Sequence, residues 1–597
     1  MSQSTQPAAV PSAVREQLEK ILAHRLFARS ARMTRFLRFA VDHSLSGHAS
    51  ELKEYVIGVE VFDRSAEYDP RVDPIVRVEA RRLRSKLKAY YESDGAADPV
   101  IIEFLSGGYA PRFRERAHAP APAAAPAAAP AAAPEPGPGA GAVVVLPFAD
   151  LSLKPGNEYF SDGLTEELIH VLTKVAGLRV VAWTTAARLR ERQHDLAAIR
   201  EQIDAAFVLT GSARIAGPSL RVRAQLIDTT TGVYLWSETF DRRLHDVFAI
   251  QEEIARAIVR TLRPQLLPSA AGSLVRSPAA INAYDHYLKG RYYWHRRTPE
   301  DLERSIEYFR AALDLDPACG LAQTGLADAY TLLVDYGLMS PAEGMPKARE
   351  AATQAIAIDP GSAEGYSSLA LIRGLYDWQW KESEALYRRA IELNPGYATA
   401  HHWLAVDCHA VLGNLDQAAA GLETARLLDP LSGIIREGQA LLRLLARDYP
   451  DAVRRYRELI AADPDFYKGY TGLGRAYAQQ GNYLDALRML DQGRSMAGDI
   501  PNILAAMGQV YALGGEPDRA REMLARLEGM ARTAYIPSTA FAIVHLGLGE
   551  HERALHWLEQ GLAVHDPPLT ALCSHPVYDP LRAYPRFQAL LAALNFR

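Results

Sequence analysis

Five segments in the second half of the chain end alike: ALDLDP (Ala312–Pro317), AIAIDP (Ala355–Pro360), AIELNP (Ala390–Pro395), ARLLDP (Ala425–Pro430) and LIAADP (Leu459–Pro464). Their prolines, at 317, 360, 395, 430 and 464, stand 43, 35, 35 and 34 residues apart. A period near 34 in a helical pattern is the mark of stacked helix hairpins, each leaving one apolar face for its neighbour. An array of this kind binds chains more readily than it does chemistry, so recognition is the first expectation for the whole protein.

At 597 residues the chain exceeds a single core, and three or four domains are expected. The net charge of −5 points neither to bulk nucleic-acid binding nor to an acidic tail. The charge is uneven, however. Residues 1–116 carry 19 Lys and Arg against 16 Asp and Glu, while the remainder carries 47 against 55. Cys319, Cys408 and Cys573 share no metal-ligand spacing and demand no disulfide. Met1–Ala13 lacks the apolar core of a secretory signal. The longest clean apolar run, near Ala142–Ala149, is far short of the roughly 20 residues that span a bilayer. A cytoplasmic, soluble protein with no membrane span and no cofactor is expected.

Residues 117–141, AHAPAPAAAPAAAPAAAPEPGPGAG, read as a semi-rigid Pro/Ala tether, and Pro264–Pro278 as a second break. The expected units are therefore 1–116, 142–267 and 280–597. The first reads as helices over Val14–Leu26, Met33–Leu45, Glu51–Phe62 and about Pro74–Tyr91. A short hairpin, Pro99–Phe104 with Tyr109–Phe113, follows around Gly107 and Gly108. The middle unit alternates. Val143–Phe148, Leu178–Ala182, Phe207–Arg214, Leu220–Asp228 and Tyr234–Asp241 read as strands. Ser161–Val175 (capped by Asp162), Asp195–Ile203 and Val247–Leu262 read as helices, giving an α/β or α+β domain.

In DPIVRVEARRLRSKLKAYY (Asp73–Tyr91), Val76, Ala80, Leu83, Leu87 and Tyr90 form one apolar stripe. Arg77, Arg81, Arg84 and Lys88 repeat that spacing one residue later, about 100° around the helix. Arg82 and Lys86 flank the other side. Such a helix can lie in a major groove, with guanidinium groups on guanine edges or phosphates. The bland alternative is a solvated charged face with Glu79 as partner. The stretch Val76–Leu87 resembles the recognition helix of the OmpR/ToxR-type winged-helix domain, and Ile101–Phe113, with Gly107-Gly108-Tyr109, resembles its wing. The resemblance covers about forty residues and implies duplex DNA binding through Arg77, Arg81 and Arg84. The unit departs from that family in opening with helices and in carrying Glu79 where the family has His.

Val143–Phe148, the run Asn157–Leu168, Gly211-Ser212, Trp236–Asp241 and the helix from Val247 resemble the TolB-amino-terminal-like domain over about 120 residues. Asp162, Glu166 and Glu167 could suggest a metal-binding carboxylate set, but acids near a helix N-terminus, favouring its positive end, explain them better. Asp228 and Asp241 suit strand-end turns, and Gly217-Pro218 a turn. No GxxxxGK[ST] phosphate loop occurs.

Tyr470, Leu473, Gly474 and Tyr477, then Gly481, Tyr483, Ala486 and Leu490, resemble the tetratricopeptide consensus, as do Leu504, Met507, Gly508, Tyr511, Ala520 and Leu524 in the next unit. About eight helix pairs are expected between Tyr284 and His565, with Pro567–Phe596 as a cap. In that family the first helix of each pair lines a concave groove. Carried across, the groove positions are Trp403, Asp407, Glu437, Lys468, Arg475, Asn502 and Gln509. His401, His402 and His409 have a metal-like look, but His409 holds a packing position usually filled by Tyr. Trp378 and Trp380 read as core filler. The array is expected to fold by itself, because repeats stack only on neighbours.

Together these readings describe a multidomain regulator. An N-terminal winged helix, mainly α with a β wing, binds duplex DNA. A central α/β domain forms a hub, and a C-terminal all-α tetratricopeptide solenoid takes a protein or peptide partner. A homodimer stays open. The rivals are a scaffold whose winged helix binds protein, and an adenylate-cyclase-related signalling protein that lacks a catalytic domain. The three units leave no room for the roughly 180 residues of a cyclase domain, so no enzyme activity is expected.

Overall fold

Apolar residues at helical spacing, closed off by proline or glycine, decide most of the elements. The computed structural model describes residues 11–24, 27, 31–62, 64, 75–91, 95, 98–104, 109–115, 142–152, 157–175, 178–193, 195–243, 247–262, 281–296 and 298–596. Two units emerge, Met1–Ala133 and Pro134–Arg597.

In the first unit, helices Pro11–Ala23, Ala31–Leu45, Glu54–Phe62 and Ile75–Tyr91 enclose a core that includes Leu18, Phe36, Ile57, Leu83 and Ile102. Strand β1 (Val100–Phe104) pairs antiparallel with β2 (Pro111–Glu115), Ile102 facing Phe113. The turn at Gly107 and Gly108 lies outside the described residues. Buried Asp98 ties the hairpin to two helices. It accepts from Gln17 at 2.6 Å, Tyr90 at 2.6 Å and Lys20 at 2.5 Å. Burial works to raise its carboxyl, but these donors outweigh it and hold it below the ordinary value.

The second unit opens with a sheet of order β3-β5-β6-β7. β3 (Ala142–Val145) and β4 (Ala149–Asp150) run parallel to β5 (Ala205–Ala216). β6 (Ser219–Asp228) and β7 (Tyr234–Arg243) continue antiparallel. The strand expected at Leu178–Ala182 is a single bridge, Val180 to Val143. The helix expected at Ser161 begins earlier, spanning Glu158–Thr173 with Asn157 at its cap position, so Asp162 lies within it rather than capping it. Helix Val247–Leu262 falls where it was expected, and Asp195 caps Leu196–Ile203 through the Ala198 amide. A short helix, Trp183–Arg188, lies where no helix was expected.

Eight helix pairs follow among the described residues, from Ile281–Arg296 with Pro299–Leu315 to Ser538–Gly547 with His551–Ala563. Pro567–Leu572 and Pro576–Leu581 are 3₁₀ turns, and Pro585–Ala593 is the closing helix.

The array does not stand apart from the α/β domain. One apolar core runs from Val144 and Leu168 through Tyr284 and Phe309 to Tyr330 and Leu333. Gly163 lets helix Glu158–Thr173 approach the first array helix so closely that a Cβ there would sit 2.5 Å from Leu288. Beyond that core the α/β domain meets the repeat endings themselves. Asn394 donates to Thr173 Oγ1 at 3.1 Å. Asp429 accepts from the Thr185 amide at 3.1 Å and hydroxyl at 2.6 Å. Arg188 pairs with Asp463. Each of these array residues stands just before the proline that ends a repeat. Replacing Asp429 with alanine strands a buried amide and hydroxyl, which costs about 1–3 kcal/mol. A lowered urea midpoint is the expected result, and an unmoved midpoint would show that the seam holds without this contact.

Candidate functional site

Helix Ile75–Tyr91 buries Val76, Ala80, Leu83, Leu87 and Tyr90 to 3% exposure or less. That fixes which side of the helix faces outward. Arg77 Nε lies 2.8 Å from Glu54, and Arg82 the same distance from Glu79. The Arg77 and Arg82 side chains nonetheless stay 52% and 65% exposed. Their carboxylate partners are more enclosed, Glu54 at 22% and Glu79 at 12% exposure, so the pairs hold each guanidinium at the surface of the helix. Arg84 is half-buried, and Lys86 lies 5.9 Å from the centre of the Phe27 ring. Burial raises the Tyr109 hydroxyl, Glu54 raises it further, and Arg77 and Arg84 oppose the shift. The residues just ahead of β2 and the arginine face therefore share one electrostatic neighbourhood. The side chains of Arg81 and Lys88 lie outside the described residues.

The carboxylates of the central domain do other work than helix capping. Asp162 pairs with Arg190 at 2.6 Å. Glu166 pairs with Arg291 and lies 3.2 Å from His295 Nε2. Burial works to raise Glu166, but the charges of Arg291 and His295 outweigh it and hold the carboxyl far below its ordinary value. Glu167 accepts from Tyr287 at 3.1 Å. His170 meets Glu364 at 2.9 Å. The Asp162 pair is internal to the α/β domain, whereas Glu166, Glu167 and the His170–Glu364 pair join that domain to the array. Asp228 does hold a turn, accepting from the Thr230 and Thr231 amides. Asp241 instead sits within β7 and pairs across the sheet with Arg221 at 2.6 Å. Among the described residues no group of three or more His, Cys, Asp or Glu is placed to hold a metal ion.

The groove positions divide into two groups. Trp403 packs against Ala370, Leu371, Tyr387 and Cys408 and keeps part of its surface exposed. Just after it the first helix of the fourth pair loosens into π-helical turns over Leu404–Ala410, a local bulge often found at functional positions. Asp407 sits in that bulge. Burial and the charge of Asp335 push its carboxyl up to about 7, while Lys468 opposes the shift. Lys468 also feels Asp335 and Glu437 and lies 5.9 Å from the Tyr336 ring centre. Asp335, Asp407, Glu437 and Lys468 thus bring the second, fourth, fifth and sixth pairs into one charged cluster. Arg475, Asn502 and Gln509 form the second group. They line a cavity that the C-terminal cap closes with His575, Val577 and Tyr578.

His401 contacts the Pro395 carbonyl at 3.0 Å, and burial lowers His402 to about 4 with help from Lys468. His409 is buried 4.0 Å from Glu384, in keeping with a packing role. Trp378 and Trp380 fill apolar space, and their neighbours are distant in sequence. Trp378 stacks on His565 and Trp380 on Phe596, with the indole of Trp380 donating to the Leu594 carbonyl at 2.8 Å. The cap therefore returns to the third pair.

Comparison with known proteins bears on both halves of this picture. Residues 141–257 match the HilA/YgeH-like transcriptional regulator, second domain. Residues 299–319, 409–465 and 443–510 match tetratricopeptide repeats. A Rhizobium meliloti protein named "Putative adenylate cyclase 3" is 32% identical over 247 residues, covering 38% of this chain and 40% of that protein. The transcriptional regulator HilA of Salmonella typhimurium is 21% identical over 291 residues, covering 48% of this chain and 51% of its own length. The chain thus spans about half, or less, of the curated relatives it matches. A tetratricopeptide repeat protein of Parabacteroides merdae superposes with a TM-score of 0.34 at 17% identity, over 45% of this chain and all of its own. The regulator-like domain and the repeats point to a regulatory or protein-interaction role. No described helix is long and apolar enough to cross a membrane.

Proposed function

We propose that the chain is a transcriptional regulator. Residues 1–116 bind duplex DNA as a winged helix, a TolB-like hub occupies 142–267, and the array over 280–597 holds a protein or peptide partner. The observation that carries the reading is the helix Ile75–Tyr91, whose apolar stripe is buried while Arg77 and Arg82 remain largely exposed just ahead of a two-stranded hairpin. Arg77, Arg81 and Arg84 are assigned to the DNA groove, with Arg82, Lys86 and Lys88 toward phosphates. The regulator description attached to residues 141–257 supports the same reading. Trp403, Asp407, Glu437 and Lys468 are assigned to the partner, with Trp403 as apolar anchor.

Full-length protein is expected to bind genomic duplex fragments with an affinity that falls steeply as salt rises from 50 to 200 mM, because phosphate neutralisation releases counterions. Arg81→Ala should lower discrimination between sites by about 1–3 kcal/mol without moving the melting temperature. Absence of binding even at low salt would favour the scaffold reading, in which the same unit takes a protein.

A further inference from the structure

The cavity beneath the cap has a volume of about 170 Å³ and a wall that is mostly apolar, with Ala506, Val510, Ile543 and Val577 contributing. An engineered apolar cavity of about 150 Å³ takes up benzene, which sets the size of body that fits. One formal cation faces this space, Arg475. The residue is half-buried and makes no ion pair among the described residues. Its hydrogen bond is a long one, 3.4 Å to the Asn502 carbonyl. Glu437 is near enough to feel this charge, but Arg475 and Glu437 do not come within ion-pair distance. A guanidinium on the rim of an apolar cavity with no ion pair of its own is open to an anionic partner, and its planar fork matches a carboxylate. Asn502 and Gln509 add amide groups to the same wall. His575 Nδ1 accepts from the Val577 amide at 3.2 Å, which leaves Nε2 as the ring's donor. Burial and the charges of Arg475 and Arg447 lower that imidazole to about 3, so it is neutral near pH 7 and brings no second cation.

We propose that this cavity binds a small free monocarboxylate with a compact apolar body, its carboxylate on Arg475 and its hydrocarbon against Ala506, Val510 and Ile543. The site takes Arg475, Asn502 and Gln509 out of the open peptide groove and gives the array a small-molecule input. The inference stands independently of DNA binding, because its test contains no nucleic acid.

Sodium benzoate serves as probe, titrated into the full-length protein by calorimetry and followed by thermal shift. Saturable binding with a rise in melting temperature is expected. Benzamide and benzylammonium should bind at least about tenfold more weakly, and so should benzoate to Arg475→Gln. Ala506→Phe, which fills the cavity, should abolish binding, and Arg475→Gln keeps the test valid if that variant fails to fold. Three results would overturn the proposal: no saturable binding at millimolar benzoate, equal binding by Arg475→Gln, or preference for an N-acetylated tetrapeptide ending in phenylalanine over benzoate. The last would assign the site to a partner's C-terminus instead.

Discussion

Replacing Arg291 with methionine is expected to destabilise the Pro134–Arg597 unit by about 3–5 kcal/mol, the cost of leaving a buried carboxylate without its counter-charge. Arg291 and Glu166 are 17% and 18% exposed, and the same guanidinium lies 3.8 Å from the buried carboxylate of Asp328. It also stacks on Trp294 at 4.4 Å, so methionine retains part of the packing while removing the charge. His295 still faces Glu166 in the variant, while Asp328 loses its cation. The double variant Glu166→Gln, Arg291→Met should recover the share of the loss that belongs to Glu166, because a neutral buried pair avoids the desolvation of an isolated charge, and leave the share that belongs to Asp328. Guanidinium titration of the full chain, followed by far-UV circular dichroism, measures both. A midpoint unaffected by Arg291→Met would show that the seam between sheet and array holds without this ion pair.

The second large effect depends on pH. Asp407, pushed up to about 7 by burial and by Asp335, keeps in the folded chain a proton that an unfolded aspartate releases near 4. The folded state therefore binds more protons across that window. The stability this provides is full below pH 4 and declines as the pH rises to 7. Asp335, Glu437 and Lys468 are the charges acting on it, Tyr387 and Cys408 also lie within its field, and among the charges only Lys468 favours the ionised form. Because Asp407 keeps some access to water, the expected change is about 2 kcal/mol, less than full burial would give. Asp407→Asn should gain that much on wild type between pH 5 and pH 8. Stability curves that run parallel over this range would place Asp407 in water and sink the expectation.

Legibility followed the range of the interactions. The helix pairs were readable because small residues, aromatics and a terminal proline recur locally, and the stripe from Val76 to Tyr90 because one turn of helix specifies the next. The Asp162 cap was misread because a helix start is a weak local signal, and Asn157 lies five residues upstream. Glu166 and Glu167 looked like N-terminal acids because their partners, Arg291 and Tyr287, stand 125 and 120 residues away. Trp183–Arg188 is too short to show a period. The residues assigned to a groove lie on first helices, but no local pattern shows that the cap folds over Arg475, Asn502 and Gln509. Nor does any local pattern reveal the π turn at Asp407.

The grip of the α/β domain on Asn394, Asp429 and Asp463 also bears on how such a chain can evolve. Repeat arrays ordinarily lengthen and shorten by duplication or loss of whole units, since each unit needs only its neighbours. Here three successive unit ends must reach Thr173, Thr185 and Arg188, and the last helix must bring Phe596 back to Trp380. A unit gained or lost between the third pair and the cap would throw one set of contacts out of step with the other. The sequence is written in interchangeable modules, yet their number is fixed as firmly as the strand count of a closed barrel.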